Sequence, residues 1–375
     1  MGLYGALRPL LFRASADTAH DMAVRLGRVG QVAGPLVRAL HPLRLGAEER
    51  ARLSSRVLGL DFRVPIGTAA GLDKNAEIVP LVEQIGCGFC EVGSVSAEPR
   101  PGNPKPRAFR LPTDRALVNR LGLGNEGAAA IARRIGGMRR PPGFPIGINV
   151  VKTHDPAIIG AEGLDDFACA ARTMLPHADF LVLNVSCPNT AEGKTFEDPA
   201  SLAELLDRVM AERAALRSEV PVLVKLSPPA PLDAEGAFDT SALDELMDLA
   251  LERGVAGFVA TNTASDRAGL STPTARLEAI GHGGLSGAPI RARALAMTRH
   301  MRRRLEGRAA IVGVGGIDTP EAAYERICAG ADLVELYTGL VYAGPGLVGE
   351  AARTIVRGLD RDGHGSVADA VGSCA

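Results

Sequence analysis

The feature that most constrains this chain is a unit repeated eight times between about residue 55 and residue 360. A short apolar, β-branched run ends in polar or glycine residues and is followed by a segment of helical periodicity. The runs are 64–71, 88–95, 144–151, 180–185, 221–227, 257–263, 309–316 and 331–337. The helical patterns are 76–85, 124–135, 165–175, 199–216, 241–253, 289–305, 320–329 and 347–357. Strands alternating with helices imply an α/β fold with a parallel sheet, and eight such units are the count of a (β/α)8 TIM barrel. An open doubly wound sheet rarely needs so many. Residues 46–360 are therefore expected to form the barrel, with 361–375 a fraying C-terminal tail.

Residues 1–45 read differently. Leu3, Leu7, Leu10 and Leu11 fall on one helical face, and after a break Ala19, Met22, Ala23, Leu26 and Val29 mark a second, with Asp17 where an N-cap belongs. Six arginines against two aspartates up to Arg44 give this N-terminal helical extension a net charge of +4. A basic amphipathic helical pair suits an anionic membrane surface, and equally a lid packed on its own domain. No apolar run is long enough to span a bilayer, and Arg8, Pro9 and Arg13 interrupt what could otherwise be a signal peptide. The protein is expected to stay on the cytoplasmic side.

The overall charge of −1 gives no sign of nucleic-acid binding. Six scattered cysteines suggest a reducing compartment. The lone Cys87-x-x-Cys90 pair opens a strand, where odd spacing sends the two thiols to opposite faces, so core packing is expected there and no metal.

In a parallel barrel, catalytic groups collect at the carboxyl ends of the strands. Those ends supply Ala70-Gly71-Leu72-Asp73-Lys74-Asn75, Glu91 and Ser94, Asn149 and Lys152, Asn184 and Cys187, Lys225, Thr261-Asn262-Thr263, Gly313-Val314-Gly315-Gly316, and Tyr337-Thr338-Gly339. Glycines after the seventh strand and Tyr-Thr-Gly after the eighth match the usual phosphate site of such barrels. Three long connections, 96–123, 186–198 and 264–288, are expected to build the site, the first stiffened by proline and arginine. No histidine stands at a strand end, so Cys187 is unlike a protease nucleophile. A phosphorylated cofactor doing the difficult chemistry, with the Cys187 thiol moving a proton, fits this inventory. A second reading is a non-redox phosphate-binding lyase with Lys225 forming a Schiff base.

Seven short motifs, in this order, make the chain resemble the dihydroorotate dehydrogenase family over nearly its whole length. They are Ala70-Gly71-Leu72-Asp73-Lys74, Lys105-Pro106-Arg107 with Phe109-Arg110, Asn119-Arg120-Leu121-Gly122, Asn184-Val185-Ser186-Cys187-Pro188-Asn189-Thr190, Ala260-Thr261-Asn262-Thr263, Gly283-Gly284-Leu285-Ser286-Gly287, and Gly313-Val314-Gly315-Gly316-Ile317-Asp318. The arm, with Leu11-Phe12 and Ala19-His20, looks like that of the membrane-associated, quinone-reducing class, in which two helices form a platform through which quinone reaches the flavin.

The resemblance implies FMN-dependent oxidation of dihydroorotate to orotate in pyrimidine biosynthesis, with membrane quinone as acceptor, or fumarate or NAD as soluble alternatives. It implies FMN contacts at Ala70, Gly71, Ser94, Asn149, Asn184, Lys225, Thr261, Gly287, Gly316, Tyr337 and Thr338, with Lys225 favouring negative charge on the reduced isoalloxazine. Substrate contacts are expected at Lys74, Asn119, Arg120, Leu121, Gly122, Leu123, Asn184, Asn189, Asn262 and Thr263, and a catalytic base at Cys187. Arg110 and Tyr337 are also candidates for the quinone path. The chain departs from the quinone class at Cys187, where that class has serine, at Leu123, where phenylalanine is usual, and at 191–197, which lacks a Gly-Leu-Arg run.

Overall fold

In a computed structural model describing residues 3–30, 45–186 and 196–375, the eight expected strands close into a ring. They are β1 (Ile66–Thr68), β2 (Phe89–Val95), β3 (Ile146–Val150), β4 (Phe180–Asn184), β5 (Val222–Leu226), β6 (Gly257–Ala260), β7 (Ala310–Val314) and β8 (Leu333–Leu336), each pairing in parallel with the next and β8 with β1.

Strand alternation divides the sequence between two cores. The outward set, including Ile66, Val92, Ile148, Leu181, Val224, Phe258, Ile311 and Val334, packs under the helices. The inward set changes character along the barrel axis. At the bottom, Phe89 and Phe180 fill the interior, each with its ring where a Cβ on Gly67 or Gly147 would fall. The hairpin Ser55–Val57/Leu60–Phe62 closes that end, with Phe62 edge-on to Phe89 at 5.4 Å. Val182, Leu223, Val259, Val312 and Leu333 come next. Two residues further along their strands, the same inward parity brings Asn184, Lys225, Thr261 and Glu335. The apolar plug thus gives way to a polar floor on the side where the long connections lie.

Two of those connections build a sheet of their own. Ala108–Leu111 and Ala116–Asn119 form a hairpin, and Gly284–Gly287 from the connection after β6 adds as a third antiparallel strand. The sheet sits on a small core of Leu111, Val118, Ile280, Leu285 and Ile290. The third connection falls largely on 187–195, outside the described residues.

The arm consists of helices α1 (Leu3–Leu11) and α2 (Ala16–Gly30). The N-cap of α2 is Ser15, whose hydroxyl accepts the Thr18 N–H at 3.0 Å, and not Asp17 as the sequence suggests. Asp17 is instead buried and accepts the backbone N–H of Arg107 at 3.0 Å. Arg110 donates to the carbonyls of Ala14 and Ser15 and lies over the ring of Phe12. Tyr4 Oη donates to Val341 O at 2.6 Å. Leu7, Leu10, Met22, Leu26 and Val29 remain exposed on the outer side.

Two further expectations need correction. The tail does not fray after Asp360: its preceding helix runs to Asp362, Val367–Ala370 forms a further turn with Val367 and Ala370 buried, and the Cys374 N–H donates to Cys328 O at 2.8 Å. Cys87 and Cys90 do not face opposite sides. Cys87 precedes the strand, where alternation does not apply, and both thiols sit in the outer core, with burial pushing Cys87 up to about 12.

Candidate functional site

A cavity opens at the carboxyl ends of the barrel strands beneath the three-stranded sheet. Its lining gathers, from chain segments far apart in sequence, Ala70, Gly71, Ser94, Asn184, Lys225, Thr261, Gly287, Gly316, Tyr337 and Thr338 of the expected cofactor contacts. Of the expected substrate contacts it takes in Lys74, Asn119, Leu121, Gly122, Leu123, Asn184, Asn262 and Thr263. Asn149 stands one hydrogen bond behind the lining. The Arg120 side chain does not line the cavity: just past the end of the strand at Asn119, it donates to the carbonyls of Ile280 and His282 and covers the Phe109 ring. Cys187 and Asn189 lie outside the described residues, but the chain on either side is anchored at the rim. Ser186 is buried there, and the Phe196 N–H donates to Val185 O at 2.9 Å.

The polar floor is one directed chain of hydrogen bonds. Asn262 Nδ2 donates to Asn184 Oδ1 (3.2 Å), Asn184 Nδ2 to Ser94 Oγ (3.0 Å), Ser94 Oγ to Asn149 Oδ1, and Asn149 Nδ2 to Glu91 Oε1 (2.7 Å). Lys225 Nζ donates to the same Glu91 oxygen at 2.9 Å and lies 3.9 Å from Glu335 Oε2. Every donor points toward Glu91, which fixes the orientation of each carboxamide. Burial works against the charge on Lys225, but Glu91 and Glu335 outweigh it and raise its pKa.

Above this floor the loop after β7 turns through Gly315 (φ +98°) and Gly316 (φ +73°), a conformation that favours glycine. A Cβ on Gly316 would also lie 2.4 Å from Arg291 Cα. Arg326 donates to the carbonyls of Val314 and Gly315 at 3.1 and 2.9 Å, and Arg291 to that of Gly316 at 2.9 Å. Asp318 ties Arg291 to Arg115. Oxygens that would repel an anion are therefore held by guanidinium groups. Arg326 is 1% exposed, and no described carboxylate lies within ion-pairing distance of it. Burial lowers its pKa to about 10, so it remains a cation at neutral pH.

At the opposite end, Lys74 lies against the arm junction. Burial, helped by Arg107, pushes its pKa down to about 8, against the pull of Asp21 and Asp17. His20 of α2, partly buried and repelled by Lys74, falls to about 4 and is neutral at pH 7. Arg110, expected on a quinone path, stands at the turn between the arm helices. Sequence reasoning missed Arg115, Arg291, Asp318, Arg326 and Glu335. For Glu335 a signal existed, since the Leu333-Glu335-Tyr337 parity points a carboxyl into the barrel. Among the described residues no three His, Cys, Asp or Glu side chains gather as metal ligands, and no helix is long and apolar enough to cross a membrane.

Comparison with known proteins gives one consistent answer. Residues 52–359 match the family model described as dihydroorotate dehydrogenase. A protein of Nocardia farcinica named dihydroorotate dehydrogenase (quinone) is 42% identical over 371 residues, covering 99% of this chain and 97% of its own. The protein of the same name from Rhodococcus opacus is 41% identical, covering 100% and 99%. Among solved structures, that of DHODH from Eimeria tenella in complex with ferulenol superposes with a TM-score of 0.82 at 30% identity, covering 98% of both chains.

Proposed function

The chain belongs to the dihydroorotate dehydrogenase family, and on that premise we propose that it oxidises dihydroorotate to orotate for pyrimidine (UMP) biosynthesis, passing the electrons to a quinone. The cofactor is a flavin, and we assign it as FMN. What supports that assignment is the convergence, on one cavity, of every expected cofactor contact except Asn149, with an anion-compatible glycine turn at one end and Lys225 at the floor. Gly316, Tyr337 and Thr338 hold the phosphate, and Lys225 faces the ring.

The flavin, when bound, accepts the hydride from carbon 6 of the substrate. The chain supplies the rest. Lys74 pairs with the substrate carboxylate, and Asn119, Asn184, Asn262 and Thr263 read its ring edges, joined by Asn189. The Asn262–Asn184–Ser94–Asn149 chain keeps those carboxamides from rotating. Cys187, directly after buried Ser186, takes the proton from carbon 5. A free thiol, with a pKa of about 8.5, can do this without a histidine partner.

The arm carries the acceptor side. Its exposed Leu7, Leu10, Met22, Leu26 and Val29 and its arginines suit a peripheral contact with the cytoplasmic face of the cell membrane, from which quinone enters past Arg110. The lyase alternative is disfavoured by Lys225 itself. A Schiff-base lysine must lose its proton readily, whereas the pKa of Lys225 is raised by its carboxylate neighbours. The visible spectrum of the purified protein separates the two: a yellow flavoprotein supports this reading, and colourless protein trapped on substrate by borohydride overturns it.

A further inference from the structure

One buried group at the cavity floor has no part in that account. Glu335 lines the cavity at the inward parity of β8 and is 1% exposed. Neither of its oxygens meets a protein donor, and neither does Glu91 Oε2. Among the described residues the nearby ammonium is Lys225, 3.9 Å from Glu335 but 2.9 Å from Glu91. Glu91 Oε1 is also the end of the Asn149 chain. Among the described residues, the charged groups that bear on Glu335 are these two, from β2 and β5. Tyr337, two residues along, is pushed up to about 12 by burial and is neutral.

Two carboxylates and one ammonium, all buried, would leave a surplus negative charge in a low-dielectric interior. A single proton between the carboxyls removes the surplus and supplies a donor between Glu335 and Glu91 Oε2, the oxygens that have none. The unequal distances say which carboxyl keeps it: Glu91 has two donors already, and Glu335 has none.

We propose that Glu335 is a positioning residue for the flavin, held as a neutral acid hydrogen-bonded to Glu91, so that Lys225 keeps a single counter-ion and its charge stays available to the reduced cofactor. Burial and the neighbouring Glu91 raise the Glu335 pKa, which Lys225 only partly offsets. Ionisation of Glu335 would set a second anion against Lys225 and weaken the cavity's preference for reduced flavin. The inference rests on the flavin reading above.

The test is the midpoint potential of the FMN-loaded protein against pH, for wild type and Glu335→Gln, with infrared spectra of both. Glutamine mimics the neutral acid. The expected result is a potential unchanged at neutral pH, with the wild-type value falling below that of E335Q only under alkaline conditions. Wild type should also show the C=O band of a protonated carboxyl at neutral pH, where ordinary carboxyls are ionised, and E335Q should lack it. The proposal is overturned if E335Q raises the equilibrium constant for reduction about tenfold or more at neutral pH, about 30 mV for two electrons, because Glu335 is then already an anion. Should E335Q not accumulate, the wild-type infrared band decides alone, and its absence overturns the proposal. Protein that binds no flavin contradicts the reading above instead, while the infrared band still reports on Glu335.

Discussion

The carboxylate of Asp17, on the second arm helix, accepts the backbone N–H of Arg107 at 3.0 Å, joining residues 90 positions apart. Arg107 Nε lies 3.7 Å from the same carboxylate, and Lys105 pairs with Asp21 one turn further along the helix. The arm is thus clipped to the connection after β2, and through it to the cavity. Replacing Asp17 with alanine leaves a partly buried N–H without its acceptor, at a cost of about 1 kcal/mol to arm docking. Hydrogen exchange should speed up across α2 and 105–110 while the barrel strands stay protected. Unchanged exchange in α2 would show that Asp17 does not hold the arm.

The outward leucines of the arm should govern membrane binding. The double substitution Leu10→Glu/Leu26→Glu removes two largely exposed side chains, so thermal stability should hardly move. Partition onto vesicles containing anionic lipid should fall roughly a hundredfold, since withdrawing two leucines from lipid costs on the order of 3 kcal/mol. Equal vesicle binding by both proteins would remove the membrane role from this face.

Arg326 should act on the phosphate and not on the ring. Arg326→Met removes a buried, unpaired cation that also holds the Val314 and Gly315 carbonyls. FMN affinity should drop about ten- to a hundredfold, or about 1.4–2.8 kcal/mol. Riboflavin, lacking the phosphate, should lose far less. Equal losses for both ligands, measured by flavin fluorescence quenching, would mean that the residue serves the fold alone.

Lys74 should set the pH dependence of substrate binding. Its pKa of about 8 means that the ammonium is present below that pH and is lost above it. A bound carboxylate favours the protonated form, so orotate affinity should be full at neutral pH and weaken by about tenfold per pH unit above 8. Lys74→Met should bind weakly and flatten this dependence. A wild-type dissociation constant, read from the flavin spectrum, that stays level to about pH 9.5 would place the carboxylate elsewhere.

Much of this was legible in the sequence because a closed parallel barrel writes its strands as near-continuous apolar runs with polar ends. All eight runs became barrel strands, and many of the residues at their ends line the cavity, with Glu91 and Asn149 behind it and Lys152 turned to the Ile158 carbonyl. Pairing between distant segments was not legible. Gly284–Gly287 is short and half glycine, and only its partner Ala116–Asn119, far back in the chain, makes it a strand. Arg120 came in with its motif, but its side chain, just past the end of that strand, turns to the carbonyls of Ile280 and His282, a contact no local pattern announces. Asp17 and Ser15 both suit an N-cap, and only the position of Arg107 decides between them. The arginines behind the glycine turn act through backbone carbonyls, a role that no local pattern announces.

The central claim is that this cavity holds a flavin reduced by dihydroorotate, with Cys187 as the base, and reoxidised by quinone. Anaerobic stopped-flow absorbance tests it most directly. Wild-type protein should bleach on mixing with dihydroorotate, and recover its colour with quinone but not with fumarate or NAD. Cys187→Ala should bind flavin and bleach far more slowly. Bleaching of Cys187→Ala at the wild-type rate, or recovery with fumarate or NAD in place of quinone, would contradict the account.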